Sequence, residues 1–163
     1  MLKQEVITKN SAPVLRFAAD RMLGKLAKWL RVMGYQVIYG EHLSGSSLIR
    51  AARADDRLIL TRDRKLRKRQ PPDYLFIESD HYREQLCQVI RVCGLKPLDH
   101  AFTRCLECDI LLEPRTKAEI EKSVPPYVLA TQEKFSWCPK CRRVFWPGTH
   151  HERMLEELRG LLT

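Results

Sequence analysis

No stretch of this sequence approaches the roughly 18 apolar residues that a membrane-spanning helix needs, and it has no internal repeat or low-complexity segment. The opening Met1-Leu2-Lys3-Gln4-Glu5 lacks the apolar core of a secretory signal, so a cytoplasmic location without a membrane partner is expected. Acidic residues are scarce early on. Residues 1–70 hold 6 Asp/Glu against 16 Lys/Arg, whereas residues 71–163 hold 14 against 13. The net charge of +9 therefore comes from the first part of the chain. Such a field favours polyanions, because binding phosphates releases condensed counterions, and nucleic acid is the commonest cytoplasmic polyanion. A solvated basic face kept for solubility would account for the charge equally well. Apolar residues make up 44% and charged residues 30%, enough for a packed core and too little bias for disorder. The 163 residues suffice for one ordinary domain or two small ones.

Hydrophobic periodicity predicts alternating strands and helices. Residues 14–19 read as a buried strand ending at Asp20, and Met22, Leu26, Leu30 and Met33 recur at helical spacing before a stop at Gly34. Residues 35–39 form a second strand, and Ser46 or Ser47 is expected to cap a helix reaching Asp55. Residues 57–61 form a third strand, and residues 62–69 a short basic helix stopped by Pro71-Pro72. A fourth strand at 74–77 precedes a helix over 82–93 whose apolar stripe is Tyr82, Leu86, Val89 and Cys93. The alternation predicts an α/β domain with a mainly parallel sheet flanked by helices. It stops near Lys96-Pro97-Leu98-Asp99, which divides the chain into units at 14–95 and 100–163, the second closed by a helix over 152–162.

The second unit carries two Cys-x-x-Cys pairs, Cys105/Cys108 and Cys138/Cys141. Two residues between thiolates let a tight turn present both sulfurs to one tetrahedral ion, and the second pair completes the shell. Four thiolates leave no open position, so the expected Zn²⁺ is structural and adds folding free energy to a unit too small for a large core. Two redox or disulfide pairs are the alternative in a less reducing setting. His150 or His151 can replace a cysteine, but four sulfurs make that unnecessary. Cys87 and Cys93 lack partner spacing, and core packing is the expected role of Cys93.

Each predicted strand is followed by an acid: Asp20, Glu41, Asp63 and Asp80. Ligands of parallel α/β sheets collect beyond the carboxyl ends of the strands. Carboxylates meeting there repel unless a cation sits between them. Mg²⁺ or Mn²⁺ on such oxygens polarises a phosphodiester and lowers the pKa of an attacking water. The plainer reading makes Asp20 and Asp63 caps or turn residues. Arg21, Lys25 and Lys28 share a helix face, and Arg62, Arg64, Lys65, Arg67, Lys68 and Arg69 surround Asp63; both groups either hold a phosphate backbone or are simply solvated.

The run from Asp20-Arg21-Met22-Leu23-Gly24-Lys25 to Trp29-Leu30-Arg31, then Gly34-Tyr35 and Leu60-Thr61-Arg62-Asp63-Arg64, resembles the Mut7-C RNase family, a branch of the PIN-like nucleases. Arg104-Cys105-Leu106-Glu107-Cys108, Val124-Pro125-Pro126, Phe135-Ser136-Trp137-Cys138-Pro139-Lys140-Cys141 and Phe145-Trp146-Pro147-Gly148-Thr149-His150 look like that family's zinc ribbon. The resemblance implies a PIN-like α/β domain fused to a zinc ribbon, with metal-dependent cleavage of RNA. Asp20 matches the acid after the first strand, and Asp63 the acid of the Thr-Arg-Asp motif. Where the family usually has an acid opening the second helix, this chain has Gly45-Ser46-Ser47-Leu48. Glu41 substitutes only if its loop folds back, and Asp80 is a further candidate.

Three functions follow as expectations. The first is an endoribonuclease with Asp20 and Asp63 on Mg²⁺ or Mn²⁺, Asp80 and Glu41 completing the site, Arg21, Lys25, Lys28 and Arg62 on the RNA backbone, and His150 beside Trp146 offering an edge for RNA on the ribbon. The second is an RNA-binding protein of the same architecture with weakened or lost catalysis. The third is an adaptor whose ribbon docks another protein, with the protein partner unspecified.

Overall fold

The computed structural model describes residues 15–69 and 71–162. Residues 1–5, the first residue of the predicted opening strand, Val14, and the last of the predicted second unit, Thr163, lie outside that range. The first part follows the order β1 (Arg16–Ala19), α1 (Gly24–Val32), β2 (Gln36–Ile38), α2 (Gly45–Ala54), β3 (Leu58–Thr61), β4 (Tyr74–Phe76) and α3 (Tyr82–Cys93). The four strands are all parallel, in the spatial order β2-β1-β3-β4. One face of the sheet packs Phe17, Leu60 and Leu75 against α1 and α3 through Leu26, Leu30, Leu86 and Val89. The other packs Ala18 and Ile59 under α2 through Leu48, Ile49 and Ala52. Burial on both faces is why the strands read as apolar runs rather than as alternating patterns.

Three local expectations are corrected. The predicted first helix opens as a 3-10 turn over Arg21–Leu23, because Asp20 accepts the Met22 N–H and holds the chain in a tight turn. The cap of α2 is Ser44, not Ser46 or Ser47; Ser47 sits one turn in and receives the Ser44 N–H at 3.1 Å. The basic helix over 62–69 shrinks to a 3-10 turn over Leu66–Arg69. There Asp63 bonds the Lys65 N–H, and Leu66 is the one side chain of the turn that is buried, so no apolar stripe is left to hold a longer helix.

The remaining chain forms β5 (Glu113–Arg115), α4 (Lys117–Ile120), α5 (Pro126–Thr131), β6 (Phe135–Trp137), β7 (Val144–Phe145) and α6 (Thr149–Gly160). The strands make an antiparallel sheet, β5-β6-β7, over a small cluster of Ile120, Val124, Val128 and Phe135. Helix α6 returns to the parallel sheet, where Leu158 is fully buried with α1 and α3, and Glu157 accepts the Tyr82 hydroxyl and pairs with Arg83. No helix among the described residues is long and apolar enough to cross a membrane.

A buried arginine joins the parallel sheet to the first Cys-x-x-Cys turn. Arg31, 8% exposed at the end of α1, donates to Val37 O at 2.7 and 3.1 Å and to the carbonyls of Leu106 and Glu107 at 2.8 and 3.1 Å. Asp109 accepts the Val37 N–H at 2.8 Å and lies 3.8 Å from both Arg31 and Arg104. Burial pushes the Asp109 carboxyl up, opposed by those two guanidiniums and the Val37 N–H. Gly34 is part of the same junction: its φ is +88°, and a Cβ there would meet His100 O at 2.2 Å. Arg31→Met is expected to cost about 3–5 kcal/mol in urea unfolding, because it removes one of the two guanidiniums beside a buried carboxylate and the donor shared by three carbonyls.

Candidate functional site

The strand order positions the acids. From β1 the chain crosses by α1 to β2 on one side, then returns by α2 to β3 on the other, so the connections diverge between β1 and β3. Such a switch point opens a crevice at the carboxyl ends of the two strands. Asp20 follows β1 and Asp63 follows β3, and both line one cavity of about 420 Å³ there, with Arg21, Ser44, Gly45, Thr61, Arg62, Arg64, Lys65 and Arg69 among its other walls.

Asp20 is 3% exposed and firmly held. Its Oδ2 accepts the Thr61 hydroxyl at 2.6 Å and the Arg62 N–H at 2.8 Å, while Oδ1 accepts the Met22 N–H at 2.8 Å. The Thr61 hydroxyl in turn accepts the Asp63 N–H at 2.9 Å, so one side chain ties both acids together. Thr61 went unassigned in the sequence; its position in the Thr-Arg-Asp run was the available signal. Asp63 uses Oδ1 for the Lys65 N–H at 2.8 Å, and its Oδ2 has no hydrogen-bond or ion-pair partner among the described residues. The capping roles of the plainer reading are thus real, and they leave acceptor capacity on Asp20 Oδ1 and on both oxygens of Asp63.

Glu41 and Asp80 do not line this cavity. They follow the edge strands β2 and β4, each one strand removed from the switch point, and the Asp80 side chain is 79% exposed beside His81. The basic residues also divide. Arg21 lines the cavity, and so does Arg62, which is fixed by a 2.9 Å bond from Nη1 to Glu78 O. Lys25 instead lies over the Tyr82 ring at 3.7 Å, and Lys28 sits 3.8 Å from Glu107. Both lie on the α1–α3 side, away from Asp63.

The four cysteines converge as their spacing predicts. The Sγ atoms of Cys105, Cys108, Cys138 and Cys141 all lie within 4.8 Å of one another, Cys105 and Cys141 at 3.7 Å. A tetrahedral ion with Zn–S bonds of about 2.3 Å places its sulfurs about 3.8 Å apart, so the cluster fits Zn²⁺. The two turns share one design. Asp109 N donates to Cys105 O and Arg142 N to Cys138 O at 3.0 and 2.9 Å, and Asp109 and Arg142 both take positive φ (57° and 61°). Each turn also aims two backbone N–H groups at its first sulfur, from Glu107 and Cys108 onto Cys105 and from Lys140 and Cys141 onto Cys138. Burial opposes ionisation of Cys138, yet those N–H groups and the neighbouring thiols bring it below the usual thiol range. Burial and the other thiols push Cys108 up. Such a cluster favours a cation that holds all four as thiolates. None of the cysteines is in a disulfide, and burial pushes the Cys93 thiol up to about 11, as suits a packing residue.

His150 lines a second, mainly apolar cavity of about 440 Å³ with Phe102, Val144, Trp146, His151 and Met154. His151 packs against Phe102 with centroids 3.8 Å apart and the ring planes tilted by 35°, and burial lowers its pKa against the opposing pull of Glu152. A histidine held below its unfolded value contributes stability that is complete above about pH 6.5 and is lost as pH falls through the folded value. Thermal melts are expected to show a drop on acidification in that window, smaller in His151→Phe than in the wild type.

These features define an α/β protein whose parallel sheet is flanked by helices and whose later part carries a cysteine cluster suited to zinc. The chain belongs to the Mut7-C RNAse domain family, whose model matches residues 15–158. That membership suggests a nuclease or RNA-related function. No curated protein and no solved structure matches the chain.

Proposed function

We propose that this protein is a metal-dependent ribonuclease of the cytoplasm that cleaves RNA phosphodiesters at the Asp20–Asp63 cavity. In this reading residues 14–95 form a PIN-like nuclease unit, and residues 100–163 form a zinc ribbon closed by α6 that helps to bind RNA. The observation that carries it is the meeting of two carboxylates from adjacent strands inside a basic cavity, in a chain of an RNAse family. Stability alone does not call for that cavity, since five cationic side chains line it with two acids. The donor set fits Mg²⁺ or Mn²⁺, which take one or two carboxylates and keep several waters and phosphate oxygens as further ligands. Bound there, such an ion supplies Lewis-acid polarisation of the phosphodiester and a water of lowered pKa. Thr61 locks Asp20 in place, Asp63 presents its open oxygen, and Arg21 and Arg62 hold the scissile backbone. Glu41 and Asp80 stand outside this minimal site, and His150 with Trp146 offers an RNA a stacking surface on the ribbon.

A second reading, RNA binding with weakened or no cleavage, is favoured by the opening of α2: Ser44 and Gly45 face the cavity where the family resemblance leads one to expect an acid. Incubation of the zinc-loaded protein with structured RNA separates the two. Cleavage that requires added Mn²⁺ or Mg²⁺ supports the enzyme, whereas retained, salt-sensitive binding with intact RNA supports the second reading.

A further inference from the structure

The acidic cavity and a second groove share a wall at Arg69. The other walls of the groove, about 640 Å³ in volume, are Ser46, Ile49, Arg50 and Arg53 of α2. Ser46, Arg50 and Arg53 are spaced at i, i+4 and i+7, so they fall in one row along the exposed face of the helix. Among the described residues no acid lines this groove, and arginines three apart on one helix face repel each other.

Arg69 adds to this imbalance. Its Nη1 donates to Ser46 Oγ at 2.7 Å, and a Cβ on Gly45, whose φ is +51°, would lie 3.0 Å from the same nitrogen. The guanidinium thus rests over the amino end of α2, where the helix dipole favours negative charge. Arg69 has no ion-pair partner among the described residues. Three guanidiniums set along the walls of one groove that meets the acidic cavity at Arg69 suit a run of phosphates.

Resting on the ribonuclease reading, we propose that Arg69, Arg50 and Arg53 form the exit path for the substrate strand: its phosphate backbone leaves the Asp20–Asp63 cavity past Arg69 and runs along α2. This puts the RNA track on the face of the sheet opposite Lys25 and Lys28, the residues that sequence spacing suggested. The groove acts through phosphates, so it sets how much strand is held beyond the scissile position rather than which bases are read.

The test measures binding of an end-labelled single-stranded RNA by fluorescence anisotropy over a salt series, without added divalent metal. The full-length Arg50→Gln/Arg53→Gln variant is expected to bind about tenfold or more weakly at low salt. Its slope of log affinity against log salt should fall by about 1.4, at about 0.7 for each phosphate no longer neutralised. Arg69→Gln should weaken binding in the same direction. Removal of two charges elsewhere, in Arg91→Gln/Arg159→Gln, should leave the slope unchanged. A groove variant indistinguishable from that control, with an unaltered circular dichroism melt, overturns the proposal. RNA binding is read without divalent metal and so independently of cleavage; an RNA bound through Arg50 and Arg53 that stays intact once Mn²⁺ or Mg²⁺ is added refutes the nuclease reading and leaves the track standing. A wild-type protein that binds no RNA refutes both.

Discussion

Cys138→Ser protein is expected to purify without stoichiometric zinc and to unfold at a much lower temperature than the wild type. Cys138 is fully buried and receives two backbone N–H groups, so a serine there gives up a thiolate at the centre of the cluster. Structural zinc sites contribute apparent binding free energies of about 10–16 kcal/mol in small peptides, and that energy is folding energy. The damage should reach the parallel sheet. The first cysteine turn is bonded to Arg31 through the Leu106 and Glu107 carbonyls, and α6, which follows the second pair, buries Leu158 against α1 and α3. Metal analysis by mass spectrometry together with thermal melts checks this, with Cys87→Ser, an exposed thiol outside the cluster, keeping one zinc per chain. A Cys138→Ser protein with full zinc content and an unchanged melt would show that the cluster is not a zinc site.

The second large effect concerns turnover. Asp63→Asn is expected to lower RNA cleavage by more than about a hundredfold, since even residues that only support a metal ligand cost about 10–100-fold when changed. Stability should barely move, because asparagine keeps an oxygen for the Lys65 N–H. Asp20→Asn should cost as much activity and also stability, by about 1–3 kcal/mol, because each carboxylate oxygen already accepts an N–H or O–H and an amide nitrogen in either position opposes a donor. The contrast is diagnostic. Equal stability losses in the two variants would argue that the pair is structural, and undiminished cleavage by Asp63→Asn would remove Asp63 from the site.

Much of this arrangement was legible because its signals are local. Apolar runs marked the four parallel strands, the stripe ending at Cys93 located α3 with the same bounds as in the structure, and the paired Cys-x-x-Cys turns pointed to one another across a 29-residue gap. Convergence of Asp20 and Asp63 followed from the rule that parallel strands gather ligands at their carboxyl ends. What failed depended on contacts that no local pattern encodes. Strand order, which separates Glu41 and Asp80 from the switch point, is decided by how helices pack on the two faces. The helical spacing of Arg21, Lys25 and Lys28 was real, but Tyr82 and Glu107, both remote in sequence, draw the two lysines aside. Nothing local marks Arg31 as buried, and only the return of the chain at 104–109 makes it a buried link. Run 62–69 is rich enough in charge to suggest a helix, yet with Leu66 as its only buried side chain it closes after one turn.

The central claim is that Asp20 and Asp63 hold one divalent cation between them, and Mn²⁺ binding measured by electron paramagnetic resonance on zinc-loaded protein tests it without reference to any RNA. The wild type should bind one Mn²⁺ that both Asp20→Asn and Asp63→Asn lose. Equal Mn²⁺ uptake by wild type and both variants would place the cation elsewhere and contradict the account.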